Sequence, residues 1–163
     1  MATRGCPCGY LGDPTHACTC PPGMAARYRQ RISGPLLDRL DLHVEVPALP
    51  YVDLAGPATG EPSSAIRARV DAARARQASR LTRPGVRCNA HMNGREIDRH
   101  CPLDARAERL LEAAVEKLGL SARAFSRVLK VARTIADVAG RARIEASDVA
   151  EAVQYRALDR RAP

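Results

Sequence analysis

Four of the chain's six cysteines open it as two C-x-C pairs, Cys6-Pro7-Cys8 and Cys18-Thr19-Cys20, separated by a loop carrying Gly9, Gly12, Asp13, Pro14 and His16. Thiolates delivered as two close pairs from a turn-rich loop can close a tetrahedral shell around zinc. The spacing is tighter than the commoner C-x-x-C knuckle, and His16 can replace one cysteine, so the choice of four ligands among these five residues stays open. Unliganded thiols, or two disulfides formed in air, are the other reading of the same residues. Four protein ligands leave no position for water, so a closed site here implies structure rather than a reaction.

Three arginines stand where a cation can reach outward. Arg39 sits between Asp38 and Asp41 in Ile32-Ser33-Gly34-Pro35-Leu36-Leu37-Asp38-Arg39-Leu40-Asp41, after the rigid Gly34-Pro35 turn and the apolar Leu36-Leu37. Leu40, Leu42, Val44 and Val46 then alternate with Asp41, His43 and Glu45, which predicts a strand ending at Pro47. Arg123 falls in the first turn of a helix that Ser121 can cap, and Arg127 lies one turn further on the same face. A helix N-terminus favours anions, so an arginine there is opposed by the dipole unless an anion compensates, at about 0.3–1 kcal/mol. With a phosphate present, the same arginine adds bidentate reach.

The elements that must position these groups fall in two parts. Pro21-Pro22-Gly23 precedes a short helical pattern, Met24 to Arg31, that leads to the arginine corner. Pro47 to Pro62, rich in Pro and Gly, reads as a link without regular structure. Beyond it, Ser63 or Ser64 can cap a helix over about 65–81 with an apolar seam of Ile66, Val70 and Ala73, flanked by Arg69, Arg76 and Arg80. That flank suits either phosphate or plain solvation, and no aromatic is interleaved to stack on bases. Asp104 can cap a helix through Lys117 ended by Gly119. Ser121 can cap another over 122–139, with Phe125, Val128, Leu129, Ala132, Ile135, Ala136 and Ala139 inward and Gly140 beyond. A last helix uses Val149, Ala152, Val153 and Leu158. Together these make a four-helix unit with short connections. Cys88, His91, His100 and Cys101 lack paired spacing and read as packing residues rather than a second metal site.

A chain of 163 residues can bury a core, which must be aliphatic, since Trp is absent and Phe125 is the only Phe. The formal charge of +8 suits an acidic partner such as nucleic acid or nucleotide phosphate. All the basic residues but Lys117 and Lys130 are arginine, a bias that a GC-rich genome also writes onto neutral surfaces. No signal peptide and no apolar run of membrane-spanning length occur, so a cytoplasmic setting with reduced thiols and no membrane partner is expected. No G-x-x-x-x-G-K-[ST] phosphate loop exists anywhere in the chain.

Cys-Pro-Cys-Gly at 6–9, the stretch 32–41, Val-Glu-Val-Pro at 44–47 and Ser-Ala-Arg-Ala-Phe-Ser-Arg-Val-Leu-Lys-Val-Ala-Arg-Thr-Ile-Ala-Asp at 121–137 together resemble the C-terminal half of ComM/YifB-type proteins, magnesium-chelatase-like AAA+ ATPases. The resemblance runs nearly end to end through Gln154-Tyr155-Arg156. It implies a hexameric ATP-driven motor on DNA, associated with branch migration in natural transformation. Arg39 would be the arginine finger reaching a neighbouring subunit's nucleotide, and Arg123 the sensor 2 arginine of the helical lid; Arg127, from its place one turn further on the same helix face, is the weaker nucleotide contact. The four cysteines match a Cys-rich insertion, which the resemblance implies to hold zinc.

The resemblance further implies a mainly α chain: a truncated end of an AAA+ α/β core over 1–55 with the Cys loop and the finger strand, then a helical lid over 56–163. The family's sensor 1 Asn-Pro ahead of the first cysteine is Arg4-Gly5 here. Walker A and Walker B segments have no counterpart, so ATP and magnesium are expected only with the missing N-terminal half or a partner subunit, and no hydrolysis by this chain alone. A strand over 40–46 would also lack its sheet partners, which leaves 1–55 poorly anchored apart from any metal knot. The competing readings are a non-catalytic zinc-containing adaptor for DNA or AAA+ partners, and a fragment of a magnesium chelatase subunit.

Overall fold

The computed structural model describes residues 3–57 and 60–156. The chain divides into two units, one of residues 1–37 with 44–58, the other of residues 38–43 with 59–163. Eight α-helices, one 3-10 turn and no strand are found among the described residues.

In the second unit the helices begin and end where the sequence punctuates them. α4 (Ser63–Arg80) is followed by the 3-10 turn Asn89–His91, then α5 (Gly94–His100), α6 (Ala105–Leu118), α7 (Ala122–Val138) and α8 (Ala146–Gln154). Asp104 accepts from the Arg106 and Ala107 N–H groups at 3.0 and 2.7 Å, and Ser121 accepts from Ala124 N–H at 3.1 Å. These satisfy donors that a helix start otherwise leaves orphaned. Gly119 closes α6 in the left-handed region at φ 60°, where a side chain would be strained. The core joins Leu81, Val86, Met92, Ile97, Leu111, Val128, Leu129, Ala132, Ile144 and Val149, all buried and aliphatic, with α7 packing against α4, α5 and α8.

Several expectations need correction here. The helix over 65–81 starts earlier, at Ser63, after Pro62, and neither serine caps it. Ile66 and Val70 of its expected seam are exposed, so Ala73 and Gln77 alone supply its buried face. Phe125 on α7 and Ala139, just past its end, lie outward while Arg133 and Asp137 lie inward. Leu158 lies outside the described residues.

The inward placement of Arg133 and Asp137 has an electrostatic cause. Arg80 donates to both Asp137 carboxylate oxygens at 2.9 and 2.7 Å and to Asn89 Oδ1 at 2.9 Å. Asn89 donates to Asp137 Oδ2 at 2.9 Å, and Arg133 lies 3.1 Å from Oδ1 while donating to the Arg141 and Ala142 carbonyls. Burial alone would raise the Asp137 carboxyl, but the bonds from Arg80 and Asn89 and the charge of Arg133 more than offset it and hold it below its ordinary value. α4, the 3-10 turn and α7 are thereby joined through one carboxylate.

In the first unit, α1 (Met24–Gln30), α2 (Gly34–Leu37) and α3 (Tyr51–Ala55) are short. The link expected to lack regular structure contains α3, and the predicted strand over 40–46 is not formed. A strand has no stability without a neighbour to take up its backbone groups. Among the described residues of this unit Cys6 alone is buried, whereas Val44, Val46, Leu49, Tyr51, Val52 and Leu54 are all exposed.

Candidate metal centre and arginine site

The Cys-Pro-Cys-Gly turn is closed by the Gly9 N–H donating to the Cys6 carbonyl at 3.1 Å, and Gly9 takes φ 87°, a conformation that side chains rarely adopt. This bend points Cys6 and Cys8 inward from one turn. The intervening loop is shaped by Asp13, whose carboxylate accepts from Thr15 N–H, Thr15 Oγ1 and His16 N–H. The Thr15 hydroxyl, with the other donors around it, holds the Asp13 carboxyl at about 2. Cys18 and Cys20 return at the loop's end.

The Sγ atoms of Cys6 and Cys8 lie 3.3 Å apart, Cys6 and Cys18 3.7 Å, Cys8 and Cys18 3.5 Å, and all four sulfurs fall within 4.8 Å of one another. A tetrahedral zinc with Zn–S near 2.3 Å sets its sulfurs roughly 3.8 Å apart, whereas a disulfide needs about 2.05 Å. All four thiols are free. The donor set therefore fits one tetrahedral cation.

Charge points the same way. A hydrogen bond from the Tyr10 backbone leads the effects that hold Cys8 at about 5. Cys20 receives a lowering backbone bond at Cys8, outweighed by burial and the crowding of the Cys8, Cys18 and Cys6 sulfurs, and is pushed up to about 12. Four sulfurs this close cannot all give up protons without a cation among them. His16 is not one of the gathered donors: its ring stacks on Tyr10 with centroids 5.0 Å apart, and its Nδ1 lies 2.8 Å from Thr15 Oγ1. Among the described residues no second cluster of three such donors occurs; Cys101 is buried, and burial pushes its thiol up to about 11.

The arginines gather in the second unit. Arg39 and Arg123 are exposed. Arg127 is ion-paired to Asp41, and Asp38 Oδ2 accepts from the Ser121 hydroxyl at 2.9 Å. The buried Arg156 donates to the Leu40 carbonyl and lies 4.0 Å from Asp38 Oδ1, and the His43 N–H donates to the Tyr155 carbonyl at 2.8 Å. Within the stretch 1–55, expected to lack anchoring, residues 38–43 are thus held on the helical unit at four points. Sequence reasoning singled out Arg39 and passed over the aspartates on either side, whose partners lie 83 and 86 positions away.

On α4, the arginine flank is engaged within the protein. Arg69 is paired with Glu61, Arg76 donates to the Asp137 carbonyl at 3.1 Å, and Arg80 holds the Asp137 carboxylate. Arg67 and Arg74 remain exposed there, with Asp71 between them.

A family profile described as "Magnesium chelatase, subunit ChlI C-terminal" matches residues 60–156, and one described as "Magnesium chelatase, subunit ChlI" matches residues 1–54. The chain belongs to the magnesium chelatase family. It is 44% identical over 140 residues to "Competence protein ComM" of Haemophilus influenzae, covering 85% of this chain and 27% of that protein. It is 43% identical over 155 residues to "Uncharacterized protein YifB" of Escherichia coli, covering 94% and 29%. With "Uncharacterized protein Rv2897c" of Mycobacterium tuberculosis it shares 36% over 156 residues, covering 96% and 30%. The chain spans less than a third of the length of these relatives. Its described part is mainly helical, in keeping with the C-terminal lid of an AAA+ member, and no described helix is long and apolar enough to cross a membrane.

Proposed function

We propose that this chain is the C-terminal part of a ComM-like AAA+ ATPase that works on DNA in branch migration, and that it supplies two arginines to nucleotide sites. Arg39 is the arginine finger, reaching the γ-phosphate of a nucleotide held by a neighbouring subunit of a ring, a hexamer by family resemblance. Arg123 is the sensor 2 residue of the lid. ATP and Mg2+ are bound by residues outside this chain or by a partner subunit. The observation that carries this reading is that Arg39 stands exposed between two anchored aspartates, on the same unit as the exposed Arg123 in the first turn of α7. An exposed guanidinium fixed at its base can stabilise charge that develops in phosphoryl transfer, an effect of roughly 10³–10⁵ in rate in NTPases.

Cys6, Cys8, Cys18 and Cys20 hold a structural zinc in this reading. A bound zinc would neutralise the crowded thiolates and fix the loop that the first unit otherwise lacks the core to hold.

The test is a chimera in which this chain replaces the segment it matches in E. coli YifB. The chimera is expected to turn over ATP, and Arg39→Ala is expected to lower kcat by at least 10³-fold. Wild-type turnover by that variant refutes the finger.

A further inference from the structure

The aspartates around Arg39 are the part of the arginine corner that the finger assignment leaves unexplained. We propose that Asp38, Asp41 and Arg156 are positioning residues for Arg39, binding the loop Asp38–His43 to the helical unit so that Arg39 and Arg123 move as one body. This rests on the reading of Arg39 as the finger.

The geometry is a clamp with its contacts distributed on both sides of each arginine. Asp38 and Asp41 bracket Arg39 in the loop, and their partners Ser121 and Arg127 bracket Arg123 on α7. Ser121 serves twice, accepting from Ala124 N–H as the helix cap and donating to Asp38. Registration of the loop therefore depends on the same hydroxyl that starts the helix carrying Arg123. Arg156, 1% exposed, holds the Leu40 carbonyl between the two aspartates, and the His43–Tyr155 backbone bond closes the far end. Arg127, read from its helix face as a nucleotide contact, is on this account a strut that fixes the loop.

Such an arrangement links two sites. A nucleotide gripped by Arg123 in one subunit would set the orientation of α7, and through the clamp the direction in which Arg39 is presented to the next subunit. Reactive groups tolerate little displacement; a misplacement of about 1 Å can cost on the order of 100-fold in rate.

Two measurements test this. In the full 163-residue chain, the His43 amide is expected to be protected from hydrogen exchange, to lose at least tenfold of that protection in Asp41→Ala, and to keep it in Arg39→Ala. In the YifB chimera, Asp41→Ala is expected to lower kcat 10- to 100-fold while leaving KM for ATP within about threefold, and the exchanged pair Asp41→Arg with Arg127→Asp is expected to recover at least half of the logarithmic loss. A structural role alone would not give that split, and recovery by the exchanged pair ties the effect to the Asp41–Arg127 contact. An unprotected His43 amide in the wild-type chain, a kcat within twofold of wild type for Asp41→Ala, or no recovery by the exchanged pair would each overturn the clamp. If instead Arg39→Ala keeps wild-type turnover, the finger falls first and the positioning role with it, whatever the exchange data show.

Discussion

The two units of this chain are held by different physics. The helical unit joins aliphatic side chains from Leu81 to Ala152 and closes over an ion network at Asp137; the first unit, among its described residues, buries Cys6 alone and leaves most of its larger apolar side chains exposed. One has a core that offsets the entropy of ordering its chain. The other has four sulfurs. Small units without sufficient core depend on metals, disulfides or partners, and the difference shows which half of the molecule needs something added before it is firm.

The sharpest way to break that contrast is to strip the zinc proposed for the four sulfurs. Zinc binding in small structural sites is worth on the order of 10–16 kcal/mol near neutral pH. The purified chain is expected to contain one zinc by elemental analysis. A strong chelator is then expected to abolish hydrogen-exchange protection in residues 5–22 while α6, α7 and α8 keep theirs. Uniform loss across both units would refute the division.

The next effect belongs to the helical unit. Asp137→Ala leaves Arg80 and the buried Arg133 without their shared counter-charge, and a broken buried pair costs about 3–5 kcal/mol. Urea denaturation followed by circular dichroism should show that loss, with zinc content unchanged. Acid tests the same carboxylate by another route. Because the folded value of Asp137 lies below its unfolded one, its contribution is fully present above the unfolded value, roughly pH 4, and is lost as pH falls through the folded value. The urea midpoint is expected to drop over that window, and Asp137→Asn to flatten the part due to this group.

Leu111→Ala, at a side chain 2% exposed in the core, is expected to cost about 2–5 kcal/mol without affecting the Cys loop. The smallest effect is Asp104→Ala, which removes the cap of α6 and should cost about 1 kcal/mol in the same denaturation assay.

What could be read from the sequence was local. The caps Asp104 and Ser121, the stop at Gly119, the periodicity of α6 to α8 and the paired cysteines each announce themselves within a few residues. Misreadings came where distant residues decide. Leu40 to Val46 alternates like a strand, but alternation makes a strand only where a neighbour takes up its backbone, and here the His43 N–H goes to Tyr155. Arg133 and Asp137 have no place in the apolar inward set read for this helix, yet Arg80 and Asn89, 57 and 48 positions from Asp137, draw the carboxylate inward. Phe125, the largest apolar residue of α7, lies exposed near the start of that helix. Nothing in the loop's sequence separates His16 from the cysteines as a donor; its stacking on Tyr10, apart from the four gathered sulfurs, does.

The path of the chain through the clamp gives it an unusual response to cutting. Residues 38–43 belong to the helical unit, whereas the chain on either side of them, up to Leu37 and from Val44, belongs to the other. A protease nick between 44 and 50 would therefore leave an N-terminal piece that still carries Asp38, Leu40, Asp41 and His43, with their bonds to Ser121, Arg156, Arg127 and Tyr155. The two pieces should co-elute from a sizing column and separate only in denaturant, as a cleaved buckle keeps a strap closed when the pin still sits in its hole.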